Sequence, residues 1–447
     1  MTPTVRVVVL NFDGGQMTLD CLDSIRATEW PADRLDVVLV DNGSLDDVAE
    51  RVRAERPEVT VLEPLANLGF AGGCNLGMRA PGDYDFVALL NNDAVADPGW
   101  IRALVDAAGD DPRAGAINAK LLFDGRYHDV RVEVSGAARH GGDPRLLGVR
   151  VSGARLDGRR IDDRLVFDEG FYGAEPPHLP DAEEIARWSS ARGSVRVRSD
   201  GSTPSTLSLR LSALGPRTVK LESGGCTTEV EVGPVAVWAD VALDPEVVDI
   251  VNNAGSNLYA GGFGGDRGFL EVDRGQYEER ADVFAWCGGA VLLRRAYLDE
   301  VGMFDESLFL YYEDTELSWR GRLRGWHYLY EPRAVVRHRH AVSSGVGSPT
   351  FRYYTERNRL LVLARHAPAR LALRSGAGEL RRFVAAHVRH YVLRPLTLRL
   401  PVRAEVAHRR RVFFGYVRLL PRMLAARWAP GRTVPRRSLM SWMVEKW

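Results

Sequence analysis

The chain has 447 residues, 45% hydrophobic and 26% charged, with 59 basic against 59 acidic side chains. That balance is ordinary for a globular protein of two or three domains, and it excludes disordered, collagenous and disulfide-stapled classes. The neutral total hides an asymmetry: from Phe351 onward there are 22 Lys plus Arg against 4 Glu, which joins an acidic body to a basic region suited to an anionic partner. Cys21, Cys74, Cys226 and Cys287 lie far apart with no metal-ligand spacing, as expected in a reducing cytosol. No signal-peptide pattern precedes the first strand, and no apolar run reaches the roughly 18 residues of a membrane span. The expected location is cytoplasmic, peripheral at most on the inner face of the cell membrane.

In chain order, the β-branched run Val5–Leu10 predicts a buried strand that ends in the loop Asn11–Gly15, with a helix over about 17–27. Leu35–Val40 predicts a second strand ending at Asp41, and Val59–Leu62 a third. Asn67–Gly77 opens a helix with Gly69, Gly72 and Gly73 in its first turns. Phe86–Leu90 is a fourth apolar strand that breaks into Asn91-Asn92-Asp93, followed by Asp97-Pro98 as the expected N-cap and first residue of a helix. Strands alternating with helices give an α/β half-domain with a parallel sheet. An acid at a strand's C-terminal tip sits where such sheets bind ligands, although a plain β-to-α turn also favours Asn and Asp. No G-x-G-x-x-G follows the first strand and no P-loop is present, which speaks against dinucleotide and Walker-type sites.

Ala114–Phe123 predicts a fifth strand. Short alternating stretches then follow at 130–134, 194–198, 206–211, 218–222 and 228–232, as in an antiparallel β-module inserted over 124–246. A structural role for it is favoured over glycan binding, because no aromatic platform is spaced for stacking. The α/β pattern resumes at 247–256 and 281–293, with small residues at 287–290. Glu313 and Asp314 stand at a helix start behind Phe309-Leu310-Tyr311-Tyr312, which predicts an aromatic wall around a general base; helix-dipole stabilisation is the alternative. His338 and His340 end a late strand.

Taken together, the strand ending in Asn11, Asp41-Asn42-Gly43-Ser44, Asn67-Leu68-Gly69-Phe70-Ala71-Gly72-Gly73, Asn91-Asn92-Asp93, Cys287-Gly288-Gly289, Glu313-Asp314 and His338 occur in the order found in family 2 glycosyltransferases of the GT-A fold. The chain resembles bacterial rhamnosyl- and galactofuranosyltransferases of cell-surface glycan assembly over about residues 5–123 and 247–365. The resemblance implies domains at 1–123 (nucleotide-sugar half), 124–246 (β-module), 247–350 (acceptor and catalytic half) and 351–447 (basic helical region). It implies Asn11 and Asp41 at the nucleobase, with Asn67, Gly69, Gly72, Gly73, Asn91 and Asn92 along the nucleotide sugar and Trp286 and Gly288 near the substrates. Asp93 and His338 (His340 as runner-up) would hold Mg2+ or Mn2+, Asp314 would be the base and Glu313 its neighbour. Asn91 replaces the first acid of the family's D-x-D pattern, and Glu316 stands where a later Asp is usual. The donor would be a UDP- or dTDP-linked sugar and the acceptor a glycan or polyprenyl-diphosphate-linked sugar, joined in one inverting displacement. An inactive scaffold that binds glycan through the β-module and a nucleotidyltransferase are the alternatives. Beyond Leu371, arginines interleave with apolar residues, and Trp428, Trp442 and Trp447 cluster near the end of the sequence. An anionic membrane surface and a helical packing or oligomer surface fit this region equally, and nucleic acid is disfavoured.

Overall fold

The computed structural model describes residues 2–141, 143–161, 164–168, 170–175, 186–201, 205–339, 348–398 and 400–445. The chain forms two compact units: Met1–Leu122, Asn252–Gly268 and Gly275–Trp447 make one, and Phe123–Val251 with Phe269–Arg274 makes the other.

In the first unit the strand Val5–Asn11 lies between Leu35–Asp41 and Phe86–Asn91 and is parallel to both; Thr60–Leu62 follows Leu35–Asp41 outward. Ala290–Arg294 runs antiparallel between Phe86–Asn91 and Ala114–Phe123, and His327–His338 continues the sheet beyond that strand, so the sheet is mixed. The period-2 alternation of Val5–Asn11 serves both faces. Val5, Val7 and Val9 join one core with Leu19, Leu22 and Ile25 of helix Gln16–Arg26 and Trp100, Ile101 and Leu104 of helix Trp100–Gly109. Val8 and Leu10 face helix Gly69–Met78, where a Cβ on Gly77 would collide with Val8 Cγ1 and one on Gly73 with Leu10 Cδ1. Close approach of helix to sheet therefore accounts for glycine at 73 by itself.

The helix after Asp93 starts later than the sequence implies. Asp97 is not its N-cap; Gly99 holds that position. Asp97 N–H donates to Val335 O (3.0 Å), and its carbonyl accepts from Trp100 N (3.1 Å). Sheet pairing thus captures Asp97, and Pro98-Gly99 forms a turn before the helix.

Helices Pro349–His366 and Arg403–Arg427 bury Leu360, Leu361 and Leu363 with Val412, Tyr416 and Met423, together with Phe284 and Trp319. Trp442 turns inward onto this core, 6.3 Å from the Phe284 ring, whereas Trp428 is 75% exposed. Trp447 lies outside the described residues.

The second unit has two antiparallel sheets. One has the order Leu165–Phe167, Arg192–Arg198, Tyr127–Val134, Arg217–Ser223, Cys226–Val232, and the other Arg187–Trp188, Arg150–Leu156, Thr206–Ser212, Val237–Ala242. Val130, Val132, Val195, Val219 and Leu221 of the first share a core with Val151, Leu207, Leu209, Leu211 and Val241 of the second, the packing of a β-sandwich. All five sequence-predicted strands are present.

Candidate active site

Sheet register sets the site. Leu10 pairs with Asn91 and Asn11 with Asp41, so three strands end at one level. Asn11 is fully buried, and its amide is occupied on every side. Nδ2 donates to Asp41 Oδ1 (3.0 Å) and Ser44 Oγ (3.0 Å). Oδ1 accepts from Gly14 N (3.1 Å), Thr18 Oγ1 (2.7 Å) and Asn92 Nδ2 (3.2 Å). A side chain on Gly14 would collide with Asn92 Nδ2 and Thr18 Oγ1, so only glycine lets this network close. Asn11 and Asn92 thus brace the strand tips against one another. Asp41 accepts from Asn11 and, through a short bond, from Ser44 Oγ. Asn42 fixes the neighbouring loop: Nδ2 donates to Asn67 Oδ1 (3.1 Å) and Gly69 O (3.2 Å), and Oδ1 accepts from Leu68 N (2.8 Å). Asn67 itself is exposed at the rim.

Asp93 and His338 are brought together by the pairing of Ala94–Ala96 with His327–His338, in which His338 is opposite Ala94. Asp93 Oδ1 lies 3.0 Å from His338 Nε2, and both side chains are 7% exposed. Asn91 Nδ2 is 3.1 Å from the same nitrogen. On the other side of the ring Asn252 Oδ1 lies 2.9 Å from Nδ1, which places the ring proton there and turns the Nε2 lone pair towards Asp93. With Nδ1 donating to Asn252, Nε2 is left to accept from Asn91 Nδ2 or to bind a cation beside Asp93. The donor set fits a divalent cation: a hard carboxylate oxygen and an imidazole nitrogen oriented from behind by a carboxamide. Among the described residues no group of three or more His, Cys, Asp or Glu converges, so the remaining positions of such an ion would fall to donor oxygens or water.

Asp314 opens the helix Glu313–Arg322. Oδ1 accepts from Thr315 N (2.6 Å) and Thr315 Oγ1 (3.2 Å), and Oδ2 from Gly288 N (3.3 Å). Burial raises its pKa against these donors. Glu313 is pushed well above the usual carboxylate range by burial and by the charge of Asp314. The backbone before them is unusual, with Phe309, Tyr311 and Tyr312 at φ 68, 65 and 69°. Helix Pro349–His366 holds it: Asn358 Nδ2 lies 2.9 Å from Leu308 O, 2.9 Å from Leu310 O and 2.7 Å from Tyr311 O. The aromatic wall expected around the carboxylates is largely directed elsewhere. Phe309 stacks on Tyr354 (5.3 Å) and Tyr311 meets Phe351 edge-on (5.0 Å), because the left-handed turns aim both rings at that helix. Trp286 is a further correction: it is fully buried beside Phe304 (5.9 Å) and is a core residue with no face for a substrate. Glu316 is structural, accepting from Arg320 (2.8 Å), Arg365 (2.8 Å) and His366 Nε2 (2.7 Å) at zero exposure. His340 lies outside the described residues.

One carboxylate escaped the sequence reading. Asp266 accepts from Asn253 Nδ2 (2.7 Å); Asn253 Oδ1 accepts from Asn118 (2.9 Å), whose own Oδ1 accepts from Cys287 N (2.7 Å). Adjacent residues Asn252 and Asn253 thus serve His338 and Asp266 respectively. Burial raises Asp266 to about 6, the charge of Asp314 adds to this and that of His338 opposes it, so Asp266 is within electrostatic reach of both. The overlooked signal was the break of Ile250-Val251 into Asn252-Asn253, the same change of character seen at Asn91-Asn92. Cys287 is excluded as a nucleophile, since burial and the charges of Asp266 and Asp314 raise its thiol far above neutrality.

The mixed α/β sheet thus carries Asn91-Asn92-Asp93 at the tip of a central strand, with a late His returned to it. Residues 6–131 match the family Glycosyl transferase family 2. Over 128 residues the chain is 34% identical to the N-acetylglucosaminyl-diphospho-decaprenol L-rhamnosyltransferase of Mycobacterium tuberculosis, in strains CDC 1551 / Oshkosh and ATCC 25618 / H37Rv alike. The match covers 26% of this chain and 41% of that protein, so the chain spans about two fifths of the length of these curated relatives. Among solved structures it is similar to GalNAc-T7 with UDP, GalNAc and Mn2+ (TM-score 0.46, 12% identity, 95% of this chain and 58% of that chain). It is also similar to the mannosyltransferase PcManGT from Pyrobaculum calidifontis in complex with GDP-Man and Mn2+ (TM-score 0.41, 14% identity, 94% and 88%).

Proposed function

We propose that the protein transfers a sugar from a nucleotide-diphosphate donor, UDP- or dTDP-linked, to a glycan or polyprenyl-diphosphate-linked acceptor, with inversion at the anomeric carbon. The observation that carries this reading is the meeting of Asp93 with His338 at 3.0 Å, across the tip of the strand that begins at Phe86. The name of the rhamnosyltransferase relative supports a lipid-diphosphate acceptor. Asp41, the Asn67–Gly69 loop and Gly72 form the donor side, and Asp93 and His338 hold a Mg2+ or Mn2+ ion. That ion supplies neutralising charge for the departing diphosphate.

Asp314 is the base. It removes the proton from the acceptor hydroxyl as that oxygen forms its bond to the anomeric carbon and the bond to the diphosphate oxygen breaks. Burial raises its proton affinity towards working pH, while the Thr315 and Gly288 N–H groups keep the ionised form available. Gly288 positions this carboxylate through its backbone, and Glu313 supports it as a neighbouring acid.

Thermal shift against a panel of nucleotide sugars with and without Mn2+ tests the donor site. A Mn2+-dependent rise in melting temperature with one donor is expected, and it should disappear in Asp93→Ala and in His338→Ala. Equal shifts in wild type and both variants would remove the metal assignment.

A further inference from the structure

The face of helix Ala369–Val388 that points away from the protein is apolar where an ordinary surface helix is polar. Leu373, Leu380, Val384 and Val388 are 73, 49, 49 and 42% exposed, and their spacing of 7, 4 and 4 puts them on one stripe with Ala377 between the first two. The stripe runs on into Tyr391, 51% exposed, and then into Leu396, Leu398 and Leu400 at 76, 98 and 84%. Exposed Arg370, Arg374, Arg381 and Arg389 flank it. The single acid in this stretch, Glu379, is fully buried and paired with Arg382 at 2.8 Å. The face therefore presents aliphatic side chains and guanidinium groups with no exposed carboxylate. Helix Arg403–Arg427 backs it, since Phe383 stacks on Phe413 with ring centroids 4.4 Å apart.

We propose that this stripe docks on an anionic phospholipid bilayer. An amphipathic helix lying in the interface buries its apolar residues among the acyl chains while arginines reach back to the lipid phosphates. A lone surface Leu needs no explanation, but a continuous helical stripe does. Two other occupants fit less well. A second copy would bring two arginine-flanked faces together with no acid on either, which like-charge repulsion opposes. A crossing helix is excluded for the described residues, none of which form one long and apolar enough.

The test is co-sedimentation of the full chain with vesicles of phosphatidylcholine alone and of phosphatidylcholine with about one quarter phosphatidylglycerol, at low and high salt. Binding is expected only to the anionic vesicles, weakened by salt, with at least a tenfold lower partition coefficient for Leu380→Asp/Val384→Asp and for Arg374→Glu/Arg381→Glu, on the scale of a few lost apolar and ionic contacts. Circular dichroism and the donor-dependent thermal shift confirm that the variants fold, because these residues lie outside the transfer site. Three results would overturn the proposal: equal binding to neutral vesicles, unchanged binding by folded variants, or a dimer in solution that Leu380→Asp/Val384→Asp converts to monomer.

Discussion

Asp314 and Asp266 are both raised by burial, yet they predict opposite experimental behaviour. As the proposed base, Asp314 must be ionised to accept a proton, so transfer should fall as pH drops through its raised pKa, with the acid limb of kcat/KM above the ordinary aspartate value. Asp314→Asn should lower transfer by about 10²–10⁴-fold and leave donor binding unchanged; near-normal turnover would reassign the base. Asp266 has its pKa raised from 3.8 to about 6. The folded state therefore prefers the protonated form, a stabilisation fully present below about pH 4 and lost as pH rises through about 6. Asp266→Asn keeps an acceptor for Asn253 without the buried charge. In metal-free buffer it should match wild type in urea melts near pH 4 and exceed it by about 1–3 kcal/mol above pH 6. A difference of the opposite sign would mean that the carboxylate is stabilised where it lies. At this scale the sequence made Asp41, Asn91 and Asp93 legible, because an apolar run breaks at each. A helix start behind an aromatic run marked Glu313 and Asp314 as a candidate base, whereas the choice of Asp314 and the expectation for His338 came from the order of family motifs. Asp266 stayed hidden, since its meaning depends on Asn253 and Asn118, contacts that no local pattern encodes.

At the scale of elements, the helix Pro349–His366 does more than its periodicity announces. Leu360, Leu361 and Leu363 read as an apolar helical face and are buried as such. Nothing in that pattern shows that Asn358, fully buried, reaches carbonyls 47–50 residues upstream and holds three left-handed residues in place. Each such residue costs on the order of 1–3 kcal/mol and persists only when its surroundings dictate it. Asn358→Leu removes the donor, leaves buried carbonyls unpaired at a cost of about 1–3 kcal/mol, and frees the turn to relax. The loop leads directly into Glu313 and Asp314, so kcat should fall while the donor-dependent thermal shift persists. Chemical denaturation with steady-state kinetics checks both parts; a variant that loses stability but keeps full kcat would make Asn358 a packing residue only.

At the scale of the whole molecule, the two compact units differ in how far the sequence discloses them. The strands at 130–134, 194–198, 206–211, 218–222 and 228–232 alternate strictly and were legible. Arg150–Leu156 and Val237–Ala242 were not, because Gly153 interrupts the first and the outward Trp238, under Arg155 at 4.2 Å, inverts the second. The way the insertion is closed makes its dependence on the rest testable. Tyr127 and Val248 exchange both backbone hydrogen bonds, Tyr127 N to Val248 O at 2.9 Å and Val248 N to Tyr127 O at 2.8 Å. A hydrogen-bonded antiparallel pair stands about 5.5 Å apart at Cα, a gap that a short Asn-Gly-type turn can bridge. The sandwich residues between them have their own core of Val130, Val195, Leu209 and Val219, so removing them takes that core away whole. Excision of 128–247 with such a turn should therefore leave a chain that melts cooperatively and keeps its donor-dependent thermal shift. Transfer to the acceptor is the sensitive readout: if it survives, the sandwich is dispensable for chemistry, and if it alone is lost, the sandwich contributes to acceptor recognition. An aggregated or non-cooperative product would instead mean that the α/β unit cannot close its sheet without the insertion.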